Sequence, residues 1–477
     1  MPAASAISSA SSLSPIPGDF PDWLSPMAVK EIRQGLRGWL FLALFGALHL
    51  GLLLWCFTQL GAENAADADA LFWFLFAAGL LGISLRGLNA LHSERRDRTL
   101  ELLQLTRLSA WRILWGKWCA VLAQMFLFLT SMLPYGVLRY YFGSFDAEKN
   151  LQAFLFLSAT ALAFSALTVA LSCLRRWIAW CVAGGALWAI AAVFAEGDFT
   201  DAPMASYWGY LALALLHIPA LLALGATSFG SVEESLTPLK RLLGWLVLLP
   251  AVTVYFFEKN EMSFVLLFLT IPLLLLLVGD ALTAPSATTP QPLRNFLRWR
   301  WFGKMLAWIF APNRAAGLLW IFITGALFLA GMIALAPLTG PADSDFFKSM
   351  LFFVTCCGLT VLIPAGLAYL GQRKWPQHFQ TRFWIYFSLY FCIGLGLLIT
   401  CESNVLKDST ESIVRAVNTL TPIGAFYQSV EGSEKKIPLL PCAIQWLLAF
   451  SLLVLPTWRE ARLLHHLLRA PQRKNLP

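Results

Sequence analysis

Apolar residues in this chain come in long, nearly unbroken runs, not at the every-second or every-third-to-fourth spacing of a surface strand or helix. The runs are Trp39 to Leu60, Ala70 to Leu85, Trp118 to Leu138, Leu151 to Leu174, Trp177 to Ala195 and Tyr207 to Gly225. They continue as Leu242 to Phe257, Met262 to Leu282, Ala315 to Leu335, Ser349 to Leu370, Phe383 to Thr400 and Leu439 to Pro456. Each approaches the roughly 20 residues that cross a hydrocarbon core as a helix. Lipid offers no partner for an open backbone N–H or C=O, so a run of this kind predicts a helix and not a loop. The expected fold is an all-α, polytopic transmembrane helical bundle of about twelve spans.

Two stretches between the runs carry a different pattern. In Ser25 to Trp39, "SPMAVKEIRQGLRGW", Ala28, Ile32, Leu36 and Trp39 recur at helical spacing while Lys30, Arg33, Gln34 and Arg37 take the opposite side. Ser25 suits an N-cap and Pro26 the first helical turn. The segment predicts an amphipathic helix lying in a headgroup layer, an elbow leading into the first span. In Arg86 to Lys117 an apolar ladder at Leu85, Leu88 and Leu91 gives way to the charge cluster Glu94, Arg95, Arg96, Asp97 and Arg98. Asp97 or Thr99 can cap a new helix with Leu100, Leu102 and Leu103 on its apolar side and Glu101 in its first turn, and Ser109 can cap the helix running into the third span. The loop therefore predicts helix, turn, helix.

Charge orients the spans. With the N-terminus inside, the inner segments hold 27 of the 35 Lys and Arg and the outer loops 8. That bias supports an even number of spans and places both termini in the cytoplasm. The whole chain is 58% hydrophobic and 13% charged, with a mean hydropathy of +0.66. Its net charge of +8 does not point to nucleic acid, because the basic residues flank spans, where anionic headgroups are the natural partner. The first residues, rich in Ser, Ala and Pro without an apolar core, read as a tail and not as a cleaved signal. The organisation expected is a disordered tail over 1–23, the elbow helix over 24–38, a six-span module over 39–225 with its loop at 86–117, a second membrane region over 226–457 and a basic cytoplasmic tail over 458–477.

The elbow and loop together resemble the permease subunits of ATP-binding-cassette (ABC) transporters of the type-2 exporter class. Their N-terminal "NP-x-x-x-KE-x-R" helix is matched by Pro26, Lys30-Glu31 and Arg33, with Ser25 where the family has Asn. Their "E-x-x-x-G-T-L-E-x-L-L-x-x-P-x-S-x-x-x-I-x-x-GK" loop is matched by Glu94, Thr99-Leu100-Glu101, Ser109, Ile113 and Gly116-Lys117, with the Leu pair one position early at Leu102-Leu103, Arg98 where the family has Gly, and Arg107 or Leu108 for its Pro. The resemblance runs over about Leu24 to Gly143, with a late echo at Asn418 to Gly432. It implies that Glu94, Arg98, Thr99, Leu100, Glu101, Leu102, Leu103 and Lys117 face a cytoplasmic ABC ATPase subunit, with Pro26, Lys30, Glu31 and Arg33 on the elbow. It further implies a homodimer or heterodimer with another permease, and a bacterial inner membrane. Twelve spans make this an enlarged member, and no second copy of either motif is evident in the later half.

Gly116-Lys117 is not a nucleotide site. A phosphate-binding loop needs G-x-x-x-x-G-K-[ST], and here Trp111 and Trp118 stand at the first Gly and the Ser/Thr positions. No catalytic set, metal-ligand spacing or cofactor cradle is legible, so the chain reads as a transport subunit and not an enzyme, with ATP hydrolysed in trans. The alternative from the span count is an ion-coupled secondary transporter, and a scaffold or membrane-embedded enzyme ranks third. His49 and His217, in mid-span, are either neutral histidines bonded within the bundle or part of a pathway. Asp280 reads as interfacial. Leu293 to Trp308 reads as an interfacial anchor or a second ATPase contact, and the tail from Trp458 as a helix on the membrane. Cys401 and Cys442 are either a disulfide or two thiols at the membrane edge.

Overall fold

The structure is a computed structural model. It describes residues 26–59, 65–96, 109–141, 146–196, 204–228, 236–258, 261–283, 300–339, 362–368, 382–383, 385–390 and 457–466, with a few single positions such as 296, 453 and 468. Among the described residues every regular element is helical. Five helices among the described residues are long and apolar enough to cross a membrane, or six if one bent pair is a single span. The protein is thus a multi-pass helical membrane protein. The tenth to twelfth predicted spans, and Cys401 and Cys442, fall largely or wholly outside the described residues.

The chain separates into two compact units, residues 1–145 and 146–477. The first begins with α1 (Pro26–Arg37), followed by α2 (Trp39–Gln59) and α3 (Ala65–Leu85). A 3₁₀ turn at Arg86–Asn89 then leads into α4 (His92–Arg96), and α5 (Ala110–Tyr141) closes the unit. α2 and α3 are apolar on every side along most of their length, as lipid requires, with Asp67 and Asp69 confined to the start of α3. Aromatic rings interlock them: Trp55 lies 5.1 Å from Phe72, and Phe76 lies 6.3 Å from Phe128 of α5. Phe128 presses against Gly79, where a Cβ would come within 2.2 Å of the ring. At the far end of α5 the buried Arg139 guanidinium lies 4.6 Å over Phe72 and 5.1 Å over Trp73, a cation held by ring faces.

The second unit contains α6 (Ala147–Leu171), α7 (Arg176–Glu196), α8 (Met204–Thr227), α9 (Thr237–Glu258), α10 (Glu261–Thr283), α11 (Arg300–Phe310) and α12 (Arg314–Thr339). A further helical stretch, α13, covers 457–466. Asp146 caps α6, its carboxylate accepting from the backbone N–H groups of Glu148 and Lys149 at 3.1 and 3.3 Å. α6 and α8 meet through small residues, which let helix backbones approach where lipid supplies no hydrophobic drive. Ala166, Ala170, Ala220, Ala223 and Ala226 are buried, and a Cβ on Gly225 would sit 2.9 Å from the Ala170 Cα. The Thr160 hydroxyl donates to the Phe156 carbonyl at 2.8 Å, so at its 2.8 Å contact with Tyr210 it is the tyrosine that donates.

α11 and α12 form the bent pair, turning through 88° between Phe310 and Arg314. Gly317 of α12 lies against the end of α10, where a Cβ would fall 2.1 Å from the Ala281 carbonyl oxygen. A buried cluster of Leu282, Leu362, Ile363, Ala365, Ala368, Phe383 and Leu453 continues the core from there.

Candidate functional site

The elbow forms where its residue pattern predicts it. α1 begins at Pro26, buries Ala28, half-buries Ile32 and Leu36, and exposes Lys30, Arg33, Gln34 and Arg37. Trp39, expected on the apolar side, is 77% exposed at the start of α2. Past Leu85 the third helix tightens into the 3₁₀ turn and α4, with Leu88 and Leu91 fully buried, so the apolar ladder holds the loop's first limb against the unit. On the other limb the Arg112 N–H donates to Ser109 Oγ at 3.3 Å, and α5 begins at Ala110.

Lys117 joins these limbs. Its ammonium donates to Glu94 at 2.9 Å and to Glu31 at 3.1 Å, and its side chain is 2% exposed. One cation on α5 therefore holds a carboxylate from α4 and another from the elbow. Away from water such a pair cannot be exchanged cheaply for hydration, so the three segments are tied at one point. Arg86 makes a second tie beside the turn. Its guanidinium donates to the Gln124 side-chain carbonyl of α5 and, at 3.2 Å, to the Gly35 carbonyl of α1, and lies 5.3 Å over the Phe41 ring. A Cβ on Gly35 would meet Gln124 Nε2 at 2.1 Å, so a larger residue there would displace the Gln124 side chain.

The site residues expected from the sequence thus divide. Glu31, Glu94 and Lys117 come together in one hub in which Lys117 and Glu94 are buried and Glu31 half-buried, while Lys30 and Arg33 lie on the exposed face of α1 and Pro26 starts it. Lys117, grouped above with residues facing a partner, is enclosed by carboxylates of its own chain. Arg98, Thr99, Leu100, Glu101, Leu102 and Leu103 lie outside the described residues. Arg86 and Gln124 escaped the sequence reading. The available signal was a lone Gln inside a span, a residue that lipid alone would not tolerate without a partner.

The remaining candidates settle into bonded positions. Nδ1 of His49 lies 2.8 Å from the Phe45 carbonyl and Nδ1 of His217 lies 2.8 Å from the Leu213 carbonyl, each one helical turn back. A carbonyl only accepts, so each Nδ1 carries the proton in that bond. Asp280 pairs with the buried Lys240, which also donates to Thr227 at 3.1 Å, so the end of α8, the start of α9 and the end of α10 are linked. Beside it the Arg241 guanidinium donates to the carbonyls of Ile309, Ala311 and Asn313, capping the end of α11 at the bend. No group of three or more His, Cys, Asp or Glu suited to a metal occurs among the described residues.

Residues 58–176 match the family model described as ABC-2 family transporter protein, a stretch that runs from the end of α2 through α3, the loop, α5 and α6. It contains Glu94 and Lys117 of the hub. The match supports a permease subunit of an ABC-2 type transporter, a membrane transport component whose family implies an ATPase partner. No curated protein and no solved structure gives a significant match to the chain.

Proposed function

We propose that the chain is the permease subunit of an ATP-driven exporter, that a separate ATPase subunit seats against the loop at Thr99 to Leu103, and that the Lys117 hub passes the loop's displacement to the spans. The observation that carries this reading is the shared ammonium. Because Lys117 binds Glu94 and Glu31 at once, a force on α4 reaches α5 and the elbow through charge-assisted bonds and not through flexible chain. α5 carries that force along its internally hydrogen-bonded length as far as Pro134, where the ladder is interrupted. ATP chemistry belongs to the partner on this reading, the Gly116-Lys117 pair lacking the rest of a phosphate loop.

The test is copurification of the tagged chain with an ABC ATPase subunit. Leu100→Asp combined with Leu103→Asp is expected to release the partner, because two carboxylates would have to be desolvated in an apolar seat. An unchanged complex in that variant removes the loop as the seat. Transport in vesicles that follows an ion gradient and ignores ATP would replace the whole reading with an ion-coupled carrier.

A further inference from the structure

The two basic segments of the second unit are distant in sequence and joined in space. Residues 284–314 contain five Lys or Arg and no acid, and residues 457–477 contain five Lys or Arg and one acid, Glu460. That single carboxylate is engaged internally, accepting from Arg314 at 3.0 Å, while the Glu460 backbone carbonyl accepts from the Asn313 side chain at 3.3 Å. Ala307, Ala311, Ala316, Leu464 and Leu468 pack beneath the contact, and Trp308 meets His465 edge-on at 6.4 Å. α13 is therefore clasped onto the bend between α11 and α12.

What the clasped pair turns outward is basic and aromatic. α11 exposes Trp301, Phe302, Lys304 and Met305; α13 exposes Trp458, Arg459, Arg462 and Leu463, with the Arg462 guanidinium 5.4 Å over the Trp458 ring. Exposed rings beside long cationic side chains match the depth profile of a leaflet, rings at the headgroup boundary and charges among the phosphates. We propose that the α11–α13 clasp is a binding site for anionic phospholipid headgroups, and that the Arg314–Glu460 pair positions α13 for it. Charge decides the class. With its lone acid neutralised, the pair offers cations only, and zwitterionic headgroups carry no net charge to meet them. Each basic group near an anionic surface multiplies affinity by about fivefold.

The full-length chain in neutral detergent is titrated with fluorescent phosphatidylglycerol and, separately, with fluorescent phosphatidylcholine. We expect phosphatidylglycerol to bind at least about tenfold tighter, and the preference to shrink in high salt. Lys304→Glu with Arg459→Glu and Arg462→Glu, all at exposed positions, should abolish the preference while leaving the melting temperature unchanged. Glu460→Gln should weaken it despite adding a net positive charge, because the helix is no longer held. Equal affinity for the two lipids, or a preference that survives the triple variant, overturns the proposal. A triple variant that keeps the lipid preference but loses an ATPase subunit on copurification assigns the surface to that protein instead. Tighter phosphatidylglycerol binding by Glu460→Gln overturns the positioning role of the clasp.

Discussion

Replacing Lys117 by Met would leave Glu31 and Glu94 facing each other with their shared cation gone. Stranding a buried charge in this way costs about 3 kcal/mol or more, so the melting temperature of the purified chain should fall by several degrees. Adding Glu31→Gln and Glu94→Gln to the same variant should restore most of the loss, since the repelling charges are then absent; a triple variant as unstable as the single one would mean that packing, not charge, holds the hub. A pair of glycines on α12 gives a cleaner steric comparison. Gly317→Ala would drive a Cβ to within 2.1 Å of a backbone oxygen, which no rotamer relieves, and should cost about 1–3 kcal/mol. Gly325 has open space around it, so Gly325→Ala should leave thermal stability unchanged or slightly raised. Equal melting curves for the two variants would contradict the close approach of α12 to α10.

At the scale of elements, the elbow was legible because amphipathicity is written in one turn after another: Ala28, Ile32 and Leu36 inward, Lys30, Arg33 and Arg37 outward. The bend between α11 and α12 was not. The segment before it, Leu293 to Trp308, reads as an interfacial anchor or a second ATPase contact, and neither reading specifies the 88° turn, at which Arg241, some 70 positions upstream, takes up carbonyls at the end of α11. Arg241→Met should therefore free those carbonyls and speed amide hydrogen exchange across 300–314 by an order of magnitude or more, while exchange in α6 stays as it was. The α6–α8 contact is a different kind of element. Its alanines could be seen in the sequence, but their meeting point at Gly225 and Ala170 could not, because small residues recur on several faces of both helices. Gly225→Val should prise the two helices apart and lower the melting temperature by more than Gly325→Val does.

For the whole molecule, the distribution of Lys and Arg predicts that both termini are cytoplasmic. Fluorescent protein fused to either end should fold and fluoresce, and alkaline phosphatase fused to either end should be inactive; opposite behaviour at the two ends would require an odd number of spans. Hydropathy by itself determined that this is a helical, multi-pass membrane protein, and the elbow and loop motifs marked the region that the family match at 58–176 overlaps. Both are properties of short windows: a span must satisfy its own backbone, whatever surrounds it. Which charges meet was decided only in three dimensions. Lys117 finds Glu31 across 86 residues, and Arg314 finds Glu460 across 146. Those partnerships follow from how far each helix is rotated about its axis and where it crosses its neighbours, quantities that the apolar runs, hydrophobic on every side, do not encode.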